Sequence, residues 1–260
     1  MKLAILFWFY KELDICKNRL ELLKKHNPEL KIFGLFGGDQ KEAGKYQETL
    51  GEYLDDFYVS QSDDPDWKWI NGDLMILDWY GARGKKLDWD SIAVVQWDML
   101  VFDSIQNQFT GLKKDQIFIS GTKKLDSETE NRWSWTNPKK EERKNYLGFV
   151  DYVKKNYGYV DAVLCSLFIF QIFPRIFFEK YLTVKNREIG MLEYKIPTYA
   201  KIFNISLYEK DLGVWWFDSK LGGEAPLNAI PVEIKKDNIL KELKKKDGFR
   251  FFHPYYAKWE

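Results

Sequence analysis

The sequence predicts an α/β fold in a single domain, with a central mixed, mainly parallel sheet of Rossmann-like type flanked by helices. Three observations predict it. Short apolar runs rich in β-branched and aromatic residues alternate with stretches of helical period. The early runs are joined by segments long enough for helical crossovers, which make the joined strands parallel. The 260 residues contain no repeat and no convincing linker, and that length can bury one large core.

The elements follow in order. "LAILFWFY" (3–10) reads as a buried first strand, and "ELDICKNRLELLKKH" (12–26) as a helix ending at "NP". "KIFGLFGG" (31–38) is a second strand closed by two glycines, and "YLDDFYVS" (53–60) a third. After the loop "QSDDPD", "GDLMILDWYGARG" (72–84) is a helix stopped by Gly84. "SIAVVQWD" (91–98) is the fourth strand and "QIFIS" (116–120) the fifth. Residues 121–145 are polar, carry Trp133 and Trp135, and form a long functional loop leading into a helix at 141–156. "DAVLCSLFIF" (161–170) reads as another strand, with a helix from Pro174, a favoured first-turn residue. A Pro-Thr pair starts a helix at 197–203, "ISLY" (205–208) is a strand, and the tail is a basic amphipathic helix followed by an aromatic segment. The expected division is a nucleotide-binding half, 1–120, and an acceptor-side half with the tail, 121–260.

Composition narrows the function. Forty Lys and Arg against 39 Asp and Glu leave no basic field to hold nucleic acid. Eleven tryptophans suit a site that stacks on bases or sugars as well as a core. Cys16 and Cys165 have neither disulfide nor metal spacing and read as buried thiols in a reducing compartment. The most apolar run, 163–178, is broken by Gln171, Pro174 and Arg175 and is shorter than the ~20 residues of a membrane span. No signal peptide is legible at the N-terminus. The expectation is a cytoplasmic protein.

"VVQWDMLVF" (94–102) places Asp98 inside an apolar run. A carboxylate there needs a cation, a hydrogen-bond partner or an opening into a cleft. The end of a strand in an open α/β sheet is where ligands bind. At these residues the chain resembles the nucleotide-sugar glycosyltransferases of the GT-A fold, whose Asp-x-Asp motif ends an apolar strand. Gln96 stands in the first acidic position, Trp97 in the middle, near where the ribose lies, and Asp98 in the last, which holds Mn²⁺ or Mg²⁺. Gln96 is neutral, so the resemblance implies a weakened metal site.

The resemblance extends over the layout of nearly the whole chain, through short motifs. In "GMLEYKIPTYAKIFN", Glu193 matches the acidic position that supplies a general base in inverting members; otherwise it is a solvated first-turn carboxylate. In "FRFFHPYY", His253 matches the late histidine that returns to the metal; otherwise it tethers the tail. His26 is most simply a helix C-cap. Arg83 matches a group on the helix before the metal strand that would clamp the diphosphate. Asp73 would hold base or ribose, or cap its helix. Trp8, Tyr10 and "GGDQ" (37–40) lie where the nucleotide side is expected, with core aromatics and a plain turn as the alternatives.

The resemblance implies a hexosyltransferase-type enzyme. It would move a sugar from a UDP- or GDP-linked donor to a glycan or other hydroxyl acceptor, with Trp133 and Trp135 closing over the donor, stacking on the acceptor, or simply packing their loop onto the domain. The rival is a catalytically weak or inactive GT-A-like protein that binds nucleotide or carbohydrate. A P-loop and a dinucleotide-binding glycine motif are both missing from the sequence. A nucleotidyltransferase would carry a glycine-rich basic loop where "FYKELD" stands. Enzyme and binder differ in whether Asp98, Glu193 and His253 converge.

Overall fold

The computed structural model describes residues 1–62, 64–217 and 223–260. Its centre is a seven-stranded sheet. In chain order the strands are β1 (Leu3–Phe9), β2 (Ile32–Phe36), β3 (Asp56–Val59), β4 (Ser91–Gln96), β5 (Gln116–Ile119), β6 (Gln171–Pro174) and β7 (Ser206–Leu207). Across the sheet they lie in the order β7-β5-β6-β4-β1-β2-β3. β1 pairs in parallel with β2 and β4, β2 with β3, and β5 with β7. β6 runs antiparallel between β4 and β5. The α/β class with a mainly parallel sheet is therefore as expected. A strand from the second half of the chain is inserted between two strands of the first.

The principal helices are α1 (Leu13–His26), α2 (Ala43–Leu50), α3 (Pro65–Ile70), α4 (Gly72–Ala82), α5 (Arg143–Tyr157), α6 (Arg175–Tyr181), α7 (Leu192–Ile202) and α8 (Lys236–Lys244). They cover both faces of the sheet. In β1, Ala4 and Leu6 pack on one face with α4, α5 and α7, while Ile5, Phe7 and Phe9 pack on the other with Cys16, Leu20 and Leu23 of α1. Burial on both faces explains why these strands are continuous apolar runs and do not alternate with polar residues. Both cysteines are buried free thiols. Among the described residues no helix is long and apolar enough to cross a membrane.

Several elements differ from expectation: the long loop expected at 121–145 contains a short strand, Lys123–Lys124, and a helix, Ser127–Arg132, and a helix, Pro65–Ile70, begins within the expected loop "QSDDPD". The strand expected at 161–170 is displaced. Only Leu164–Cys165 is extended there, in a short antiparallel pair with Lys123–Lys124, and the sheet takes Gln171–Pro174. All of 163–174 is buried, so apolarity cannot say which part joins the ladder. As a result Pro174 ends β6, outside the first turn of α6. The helix expected to start at Pro197 starts at Leu192, with Pro197 inside it. Proline has no N–H to give the carbonyl four residues back, which is that of Glu193. That carbonyl accepts instead from the N–H and the hydroxyl of Ser166, both at 2.9 Å. The missing helical bond thus ties α7 to the loop before β6.

Candidate functional site

The parallel strands end on one edge of the sheet, and a cavity of about 740 Å³ opens there. Trp8 and Tyr10 at the end of β1, Gly37 and Gly38 after β2, and Gln96 at the end of β4 form one side. Pro65, Lys68 and Trp69 of α3 face them. Two glycines permit this closeness. A Cβ on Gly72 would lie 2.4 Å from the Trp8 ring, and one on Gly38 would lie 2.6 Å from the Tyr10 carbonyl. Asp64 caps α3 by accepting from the N–H groups of Asp66 and Trp67, and Pro65 takes the first turn. The Lys68 ammonium donates to the Gly37 carbonyl at 2.9 Å and so holds a positive charge at the cavity wall.

Asp98 and His253 meet past the end of β4; neither is in the cavity wall, whose Tyr10 feels the Asp98 charge. Asp98 follows β4 by two residues, and the tail returns as a short strand, Phe251–Phe252, antiparallel to Leu100–Val101. His253 Nε2 comes to 3.4 Å from Asp98 Oδ1, with both groups buried. The tail is bolted down on α1. Arg19, itself buried, donates to the Tyr255 and Ala257 carbonyls at 2.9 and 2.7 Å. Asn18 exchanges hydrogen bonds with the backbone of Trp259 at 2.8 and 3.1 Å. The Tyr255 N–H donates to the Asp98 carbonyl at 2.8 Å.

The proton between the two groups follows from their other contacts. His253 Nδ1 lies 2.8 Å from the Asn228 carbonyl, so Nδ1 carries the proton and Nε2 faces Asp98. Asp98 Oδ1 is buried and makes no hydrogen bond. A neutral imidazole in this tautomer turns a lone pair on a carboxylate oxygen, and a shared cation, proton or metal, relieves that contact. Burial pulls the His253 pKa down, but the Asp98 carboxylate and the Asn228 carbonyl outweigh it, and the net shift is upward. The 3.4 Å contact is an ion pair by distance, not an aligned hydrogen bond, since Oδ1 is unbonded. Among the described residues no cluster of three or more His, Cys, Asp or Glu forms.

Gln96 and Glu193 are joined through Phe168. Gln96 Nε2 donates to the Phe168 carbonyl at 2.8 Å, and no hydrogen bond falls on its Oε1. Glu193 Oε1 accepts from the Phe168 N–H at 2.8 Å. Glu193 is buried in the first turn of α7, and burial pushes its pKa up to about 7. The solvated carboxylate is thereby overturned. No ion pair or hydrogen bond joins Glu193 to Asp98 or His253, and it is not in the cavity wall. Two of the three expected groups therefore converge, and the third stands one residue behind.

Three other expected positions lie elsewhere. Trp97 is buried, edge-on to Tyr10 at 5.8 Å and stacked on Tyr256 at 5.9 Å, so its ring is a floor beneath the site and not a cavity wall. Asp73 is sealed in an ion pair with Lys195 at 3.0 Å and accepts from the Tyr181 hydroxyl, which removes it from any ligand and from capping. Arg83 is exposed at the far end of α4, about 16 Å of helix from Gly72 and the Trp8 ring. The cations in the cavity wall are Lys41 and Lys68, legible in the sequence only as two lysines among many. Trp133 is buried against Tyr194 and Trp216, so it packs the loop onto the domain. A larger cavity of about 870 Å³ lies beyond Trp67, against 182–189, and no strand end contributes to it.

No family model and no curated protein matches the chain. Solved structures do. The bifunctional glycosyltransferase WbbM is similar at 8% identity and a TM-score of 0.47, over 99% of this chain and 46% of that one. Mouse xyloside xylosyltransferase 1 is similar at 8% identity and a TM-score of 0.47, over 99% of both chains. A cytidylyltransferase from Leptospira borgpetersenii shares 13% identity at a TM-score of 0.43, over 81% of this chain and 77% of that one. The chain thus spans about half the length of WbbM. With these TM-scores below 0.5, function rests on the site's own residues.

Proposed function

We propose that the protein is a glycosyltransferase that moves a sugar from a nucleotide-diphosphate donor to a hydroxyl acceptor, with a divalent cation held by Asp98 and His253. The observation that carries this reading is the Asp98–His253 pair two residues past the end of β4, the strand whose Gln96 lines an aromatic- and lysine-walled cavity. Mn²⁺ or Mg²⁺ bound there would neutralise charge developing on the departing diphosphate. The chain's own groups do the rest. Trp8 and Tyr10 offer faces to the nucleotide, Lys68 sets a fixed positive charge at the wall, and Gln96 Oε1 is free to accept from a ligand hydroxyl. Exclusion of water by the aromatic walls strengthens each of these contacts.

Glu193 is the proposed general base. A pKa near 7 suits proton abstraction, and the Phe168 N–H, next to the carbonyl that holds Gln96, fixes one oxygen. Glu193→Gln should lower single-turnover rate by roughly 10²–10⁴-fold per folded molecule. A surviving rate makes Glu193 the anchor of Phe168 and no more.

The test of the whole reading is a panel of nucleoside diphosphates in thermal-shift assays with and without Mn²⁺. The expected result is stabilisation by UDP or GDP that grows with Mn²⁺ in the wild type and does not grow in Asp98→Ala. Equal stabilisation with and without metal removes the cation role.

A further inference from the structure

Trp69 is two-thirds exposed, at 67%. It lines the cavity at its α3 wall and meets Trp135, with ring centroids 5.1 Å apart and planes at 54°. The two rings come from different segments of the chain, and only Trp69 lines the cavity. Trp69 stands on α3, held by the Asp64 cap and by Lys68 on the Gly37 carbonyl. Trp135 stands on the polar segment that leads to α5. An indole is a large apolar surface, and leaving most of it in water gives up burial that the core could have taken. The hydrophobic core does not include Trp69.

We propose that Trp69 and Trp135 form a carbohydrate seat at the rim of the cavity, and that the acceptor is therefore a glycan. This deepens the glycosyltransferase reading and rests on it for the word acceptor; the seat itself does not. Two indoles in contact at a wide angle present non-parallel faces. An aromatic face is the negative end of a quadrupole, and the axial C–H groups of a pyranose are positive. The platform is continuous with the cavity through Trp69, so a sugar seated on it lies next to whatever fills the cavity. Two rings make a patch far smaller than an apolar groove for a lipid chain. A second nucleobase is a poorer occupant, because Trp8 and Tyr10 already supply aromatic faces at the strand ends.

The experiment is saturation-transfer NMR with a set of methyl α- and β-glycosides of glucose, galactose and mannose and their common disaccharides. It uses the wild-type chain, Trp69→Ala, Trp69→Phe and Trp135→Ala, with thermal melts to establish that each is folded. At least one sugar is expected to receive transfer at its ring C–H protons. Its affinity should fall about tenfold in Trp69→Ala and in Trp135→Ala, the size of a lost aromatic contact, and recover largely in Trp69→Phe. Nucleoside diphosphate affinity in Trp135→Ala should be unchanged. Transfer to no sugar, or transfer indifferent to both alanine variants, overturns the seat. So does a loss of nucleotide affinity in Trp135→Ala with sugar binding intact, which would make the pair a base platform. If sugars bind as expected while no nucleoside diphosphate binds, the seat stands and the glycosyltransferase reading fails.

Discussion

Asp73 and Asp98 are both aspartates buried in an apolar, aromatic setting, and they are held in different ways. Asp73 meets Lys195 at 3.0 Å with both side chains sealed from water. Lys195 is further bound to the Arg187 carbonyl at 2.9 Å, and the Tyr181 hydroxyl closes the cluster. Burial, and then the Asp73 charge, push the Tyr181 pKa well above its usual value, so that hydroxyl stays a donor. Asp98 has a histidine in place of a lysine, at 3.4 Å; in both aspartates Oδ1 is buried without a hydrogen bond, so the partner is what differs. Its nearby guanidinium, Arg19, gives its hydrogen bonds to the tail and to Asn18. Burial and an unbonded oxygen therefore do not distinguish the two carboxylates. The separation lies in whether the partner's charge and protons are already committed.

The comparison breaks first at Lys195. Lys195→Met leaves Asp73 buried without its cation and should cost about 3–5 kcal/mol in urea unfolding. A smaller loss, near that of an average core substitution, would mean that Tyr181 alone holds the carboxylate.

Glu193 adds a third carboxylate, buried against one N–H. Its folded pKa, about 7, exceeds the ordinary 4.5, so between those values the folded state binds more protons than the unfolded chain. Stability from this group therefore falls as pH rises across that window and is flat above it. Glu193→Gln should stabilise the protein at pH 8 by up to about 3 kcal/mol and have little effect at pH 4.5. Melts of both forms at the two pH values decide it; an equal offset at both pH values excludes titration as the cause.

Asp98→Asn should change stability by no more than about 1 kcal/mol, while removing the Mn²⁺-dependent part of nucleotide affinity in calorimetry. A stability loss as large as that of Lys195→Met would place Asp98 with Asp73 among structural groups. The smallest effect is expected at Arg83. It is exposed, and Arg83→Ala should stay within about 0.5 kcal/mol and leave nucleotide affinity unchanged.

Much of the fold was legible because strands buried on both faces must be apolar throughout, as in 3–9 and 91–96. Asp98 was legible for the same reason, as a charge interrupting such a run. The return of His253 to Asp98 came from a motif, since nothing local to 253 dictates a partner 155 residues away. Strand β6 was misplaced because one buried run holds both a loop and a strand. Arg83 and Asp73 failed for a different reason. Sequence places a residue on a helix, but which end and which face meet the cavity is a matter of packing. Lys68 and Trp69 were passed over because a lysine and a tryptophan next to a loop have no periodicity to betray them.

The tail segment 251–259 makes Asp98 and α1 parts of one thermodynamic unit. It reaches Asp98 through His253 and Tyr255, and α1 through Asn18 and Arg19. Linkage is reciprocal: any ion that binds the Asp98–His253 pair must strengthen tail docking by the same free energy that docking lends to the ion. Amides of residues 251–259 should then exchange hydrogen more slowly when Mn²⁺ and nucleotide are present. Asn18→Ala, remote from the cavity, should weaken metal affinity by the factor by which it loosens the tail.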